Sequence, residues 1–130
     1  MKTFLVFVST VDGKITRWGD PLVRKWSSKE DQEYFSGLIQ KCRLVVLGSN
    51  TYSADPIRPR ENRLLIVLTG KPERYKGLGV PGQLEFIDES PSRLKEIYKN
   101  KGYSEMLVAG GPRVATSFLK ENLIDEIWLT

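Results

Sequence analysis

The 130-residue chain has no histidine and one cysteine, Cys42. A disulfide framework within the chain is thereby excluded, and no zinc-ligand spacing is recognisable. The expected setting is a reducing compartment, the cytoplasm. Long apolar runs are lacking too. The run from Phe4 to Val8, behind Lys2, is shorter than the about 7–15 residues of a signal-sequence core, and Asp12 soon follows it. Nothing approaches the roughly 18–20 residues that a membrane span needs. The 20 basic and 16 acidic residues leave a net charge of +4, and no Lys/Arg run is long enough to read as a nucleic-acid patch. The expected partner is therefore a small molecule, with neither nucleic acid nor a membrane involved, and a mild cationic excess suits an anionic one. Internal repeats, low-complexity tracts and linkers are missing as well. One domain over residues 1–130 is expected, a length that typically buries roughly two-thirds of the unfolded surface.

What the chain does have is a recurring strand end. The apolar run from Met106 stops at Gly110-Gly111 and passes through Pro112-Arg113 into an amphipathic pattern from Val114 to Leu119. Proline fits the first helical turn, where its missing N–H costs nothing. A helix start after glycines offers bare N–H groups and a positive dipole end, which is a phosphate-binding geometry. A tight turn is the other reading. Leu44 to Gly48 repeats the design, followed by Ser49, Asn50 and Thr51, residues that suit helix caps and phosphate hydrogen bonds. Leu65 to Leu68 repeats it again before Thr69, Gly70 and Lys71. Open α/β sheets bind ligands outside the carboxyl ends of their strands, so together these ends favour a nucleotide site.

Along the chain, Lys2 to Thr10 reads as a buried strand and Val11 to Trp26 as a long loop. Ser27 with Glu30 forms a capping box for a helix whose apolar face is Tyr34, Phe35, Leu38 and Ile39. After the strand ending at Gly48, the residues from Ser53 to Asn62 read as a polar loop. Leu64 to Leu68 is a strand, and Lys71 to Gln83, rich in Gly and Pro, is irregular. A short strand Leu84 to Ile87, a helix from Pro91 to Asn100 capped by Ser90, a strand Glu105 to Val108, a helix Pro112 to Glu121 and a strand Glu126 to Leu129 follow. Strands alternating with helices predict an α/β, three-layer fold, its mostly parallel sheet covered on both faces.

The usual dinucleotide fingerprint G-x-G-x-x-G is absent after the first strand. In its place stand Ser9, Asp12, Gly13, Lys14 and Ile15. Asp12-Gly13 is a turn dipeptide, and an aspartate over a nucleotide site is also a candidate acid or orienting group.

Taken in order, Ser9-x-x-Asp12-Gly13-Lys14-Ile15, Gly48 to Tyr52, Gly110-Gly111-Pro112 and Leu123 to Ile127 resemble the reductase domain of riboflavin biosynthesis. That domain is the C-terminal half of the bifunctional deaminase-reductase and has the dihydrofolate reductase fold. The resemblance implies NADPH as hydride donor. It implies that Gly48, Ser49, Asn50 and Thr51 hold part of the adenosine and phosphate end. Thr69, Gly70 and Lys71 would lie near the 2′-phosphate, and Gly110, Gly111, Pro112, Arg113 and Val114 would carry the pyrophosphate and flank the nicotinamide. Arg113 also reads as a solvated first-turn arginine, opposed to the helix dipole unless an anion is bound. By the same resemblance Asp12 faces the reacting part of the substrate, with Lys14 beside it and Ser9 on the substrate side. The family reaction reduces a ribosylamino group of a pyrimidine phosphate to a ribitylamino group. Asp31 and Phe35, one helical turn apart, resemble the acid and aromatic pair with which dihydrofolate reductases hold a pterin. First-turn acids equally favour the helix dipole alone. Trp18 and Trp26 suit either stacking or packing, and Arg17, Arg24, Arg58 and Arg60 are unranked candidates for a substrate phosphate.

The family domain usually continues past the strand at Glu126 into a final pair of strands, so C-terminal strands are expected to be missing here, and a homodimer is expected. The leading expectation is an NADPH-dependent reductase of a ribosylaminopyrimidine phosphate. A dihydrofolate or pterin reductase, a nucleotide-binding module without catalysis, and an unrelated phosphate-binding α/β protein are the alternatives.

Overall fold

A computed structural model describes residues 1–7, 37, 41–54, 56 and 58–129. The expected end of the first strand, the loop after it and the helix opening at Ser27 lie outside the described residues. So do Ser9, Asp12, Lys14, Asp31 and Phe35, the tryptophans Trp18 and Trp26, and Arg17 and Arg24.

The described elements are β1 (Lys2–Phe7), β2 (Leu44–Gly48), α1 (Ser49–Ala54), β3 (Leu64–Leu68), β4 (Leu84–Ile87), α2 (Pro91–Asn100), β5 (Glu105–Val108), α3 (Pro112–Lys120) and β6 (Glu126–Leu129), with one 3-10 turn at Pro72–Tyr75. The strands make one sheet in the order β4-β3-β2-β5-β1-β6. Each ladder in it is parallel. At its centre Val46 pairs with Ile66 on one side and Val108 on the other.

Alternate residues of each strand enter opposite cores, as the two-residue pleat requires. Phe4, Val6, Val45, Leu47, Leu65, Val67 and Leu107 fill one, joined by Tyr52 of α1. Leu5, Leu44, Val46, Leu64, Ile66, Met106 and Val108 fill the other, beneath Leu94 and Tyr98 of α2 and Val114 and Phe118 of α3. β2 is buried at all five positions, which is why it reads as an unbroken apolar run.

Three expectations shift in detail. The stretch read as loop from Ser53 begins inside a helix, because α1 runs on through Ala54. Six residues are marginal alone; Tyr52 anchors them, its ring edge-on to Phe86 at 5.3 Å and to Tyr75 at 6.4 Å. Within the irregular stretch from Lys71, Pro72 starts the 3-10 turn and Val80 bridges to Leu84. The helix expected to end at Glu121 ends at Lys120, with Glu121 as its cap. Ser90 caps α2 as expected, accepting a 3.3 Å hydrogen bond from the Arg93 N–H. No helix among the described residues is long and apolar enough to cross a membrane.

Candidate functional site

β1 and β2 are not neighbours: β5 lies between them, so the chain leaves β1 in one direction and returns through β5. A parallel sheet opens a crevice at such a reversal, at the carboxyl ends of its strands. Two glycines let the backbone close up there. Gly110 takes a φ of +118°, open only to glycine, and the Gly110–Gly111 peptide is cis. The Gly48 N–H donates to the Gly110 carbonyl at 2.9 Å, tying the end of β2 to the end of β5. A Cβ on Gly111 would lie 2.6 Å from Thr51 Oγ1, and one on Gly48 would lie 2.9 Å from Val114 Cγ2. The starts of α1 and α3 are therefore fitted against each other at a distance only glycine permits.

The two long helices start differently. α2 has its own cap in Ser90. α3 begins at Gly111 with no side-chain cap and with Pro112 in the first turn, so its N-terminal N–H groups and dipole face outward without a partner from the cap residue.

They face a cavity of about 380 Å³. Gly48, Ser49, Asn50 and Thr51 line it from β2 and α1, Thr69 and Gly70 from the turn after β3, and Gly111, Pro112, Arg113 and Val114 from the cap and first turn of α3. Three separate strand ends picked out in the sequence thus meet in one space. Gly110 is buried beneath the lining, and Lys71 stays outside it; the Lys71 N–H donates instead to Thr69 Oγ1 at 3.1 Å. Ser117 joins from the second turn of α3, and Asp88 and Glu89 join from the end of β4. Asp88 and Glu89 carry no signal of a site in the sequence, where they are two carboxylates between a strand and a capped helix.

At the opposite end of β3, Arg63 is buried, with its Nη2 donating to the Arg58 carbonyl at 2.8 Å and its Nε lacking a partner among the described residues. Burial, and then the nearby Arg60 charge, lower its pKa. Arg58 and Arg60 are exposed beside it, so these arginines stand at the amino end of β3 and the cavity at its carboxyl end.

Among the described residues the lining offers the N–H groups of an α3 start without a side-chain cap, hydroxyls on α1 and on Thr69 after β3, one cation in Arg113, and glycines where a backbone must approach closely, a set that suits a polyanion with a sugar attached. No group of three metal-ligating side chains occurs among the described residues.

Known proteins share this plan. The chain is 28% identical to uncharacterized protein YwjB of Bacillus subtilis (strain 168), across 99% of itself and 75% of that relative. The crystal structure of a diaminohydroxyphosphoribosylaminopyrimidine deaminase/5-amino-6-(5-phosphoribosylamino)uracil reductase from Thermotoga maritima superposes with a TM-score of 0.67 at 19% identity, covering 92% of this chain and 42% of the larger one. Dihydrofolate reductase from Enterococcus faecalis, in a complex with NADP(H), superposes with a TM-score of 0.67 at 21% identity, over 92% of this chain and 65% of that enzyme. The fold is that of the dihydrofolate reductases, and the expected α/β architecture with a mostly parallel sheet is borne out by the six parallel strands among the described residues. Residues 2–130 match the family model of the RibD C-terminal domain, and the chain belongs to that family.

Proposed function

We propose that this chain is a reductase that passes a hydride from NADPH to a heterocyclic small molecule, a ribosylaminopyrimidine phosphate of the riboflavin pathway, and that it works as a cytoplasmic homodimer. The observation that carries this reading is the single cavity joining the uncapped start of α3, the hydroxyls of α1 and the end of β3. The donor set fits a dinucleotide: Gly111 and Val114 with the α3 dipole for the diphosphate, Ser49, Asn50 and Thr51 for the phosphate and sugar beside it, Thr69 and Gly70 for the adenosine ribose. The bound cofactor supplies the hydride from its nicotinamide ring.

The protein's part is to orient and to polarise. In a ribosylamino substrate the acceptor is C1′ of the opened sugar imine. A carboxylate beside that carbon stabilises its iminium charge or relays the proton that completes the reduction. The family resemblance gives that role to Asp12, with Lys14 beside it and Ser9, Asp31 and Phe35 toward the substrate ring.

Two measurements test the reading. Quenching of tryptophan fluorescence by NADPH reports cofactor binding, and absence of binding overturns the proposal. Asp12→Asn should leave NADPH affinity nearly unchanged and lower turnover of the pyrimidine phosphate by at least about tenfold. Unchanged turnover removes Asp12 from the chemistry. Binding without turnover of any pyrimidine or pterin would make the chain a nucleotide-binding module instead.

A further inference from the structure

The two ends of the cavity carry opposite charge. Arg113 and the uncapped α3 start stand at the β5 end. At the other end, across β2 and β3, the charged lining residues are Asp88 and Glu89. At about 4.8 Å per strand, β4 and β5 lie roughly 14 Å apart in the sheet. A dinucleotide with its diphosphate at α3 and α1, and its adenosine at Thr69 and Gly70 as proposed above, would bring the 2′ oxygen of that ribose toward the ends of β3 and β4.

Among the described residues no cationic side chain lines the cavity there. Lys71 is outside the lining, and the α2 start next to Asp88 is closed by its own Ser90, which takes the Arg93 N–H. The Arg93 guanidinium pairs with Glu96 at 3.5 Å. A carboxylate accepts a hydrogen bond from a free ribose hydroxyl and repels a phosphate in the same place.

We propose that Asp88 and Glu89 are specificity-determining residues that read the 2′ position of the adenosine ribose, accepting from a hydroxyl and opposing a phosphate. The consequence is that NADH binds on terms close to those of NADPH. The inference rests on the dinucleotide reading of the cavity and adds to it a preference that the family resemblance does not imply.

The test is titration of the full chain with NADPH and with NADH, for the wild type, Asp88→Asn, Glu89→Gln and the double variant. In the double variant the ratio Kd(NADH)/Kd(NADPH) should rise at least about fivefold, with each single variant moving it the same way. Both side chains are exposed, so the amides should leave the melting temperature near that of the wild type. If the double variant does not fold, Asp88→Lys should give the same direction with a larger rise, while Asp88→Glu should keep the wild-type ratio. A rise smaller than fivefold, with both cofactors bound, overturns this inference alone. Failure of the wild type to bind either dinucleotide overturns it together with the proposed function.

Discussion

A methyl group at residue 111 would meet Thr51 Oγ1 at 2.6 Å, well inside contact distance. Gly111→Ala should therefore destabilise the fold by about 1–3 kcal/mol, the usual range for forcing an atom into a packed contact. Thr51→Ala removes the opposing hydroxyl, so the double variant should be less destabilised than the two single effects added, by urea unfolding. Additive losses would mean that the two residues do not touch in solution. Arg113 gives a prediction of opposite sign in two assays. Its exposed cation sits at the positive end of α3, where it costs about 0.3–1 kcal/mol in the absence of an anion. Arg113→Ala should raise the melting temperature of the free chain slightly and weaken both dinucleotides. A lower melting temperature would show that the arginine is structural.

Among the elements, α2 is held to the sheet in part by a titratable contact. The Tyr98 hydroxyl donates to Glu85 Oε1 at 3.2 Å, joining α2 to β4. Burial, and then the Glu85 charge, push the phenol pKa well above its ordinary value. The folded value lies above the unfolded value of about 10, so this contribution is intact below pH 10 and is lost as pH rises beyond it. Tyr98→Phe should cost about 1 kcal/mol at neutral pH through the lost hydrogen bond. Its stability should then fall less steeply than that of the wild type above pH 10, read by alkaline unfolding. Equal slopes would mean that the phenol ionises alike in both states. Glu85 keeps a partner in the variant, since its Oε2 accepts from the Gly82 N–H at 3.3 Å.

The same scale shows what could be read in advance. β2 and β3 were legible because burial on both faces leaves an unbroken apolar string, and α2 because Ser90 and Pro91 mark its start. α1 was not, because Ser49 to Ala54 has no helical apolar period. It stands on contacts of Tyr52 with Tyr75 and Phe86, residues more than twenty positions away, and no local rule sees that far. Asp88 and Glu89 escaped notice for a related reason. A carboxylate pair after a strand is ordinary surface until the sheet order sets it beside Thr69 and Gly70.

For the whole molecule, the joins that matter are distant in sequence. Thr3 exchanges two hydrogen bonds with Asp125, its N–H donating to Oδ2 at 2.7 Å and its carbonyl accepting from the Asp125 N–H at 2.8 Å. Lys2 Nζ lies 2.9 Å from Glu126 Oε1, an exposed pair that adds little. β1 is thus held by β5 and β6, both from the last quarter of the chain. Lys2 aligns with Glu105, and at about 5–20 residues per second on the ribosome the partner of β1 arrives roughly 5–20 s after β1 itself. Of the six described strands β1 is made before both of its partners, and for those seconds the apolar residues Phe4 to Val6 wait without the strands that flank them.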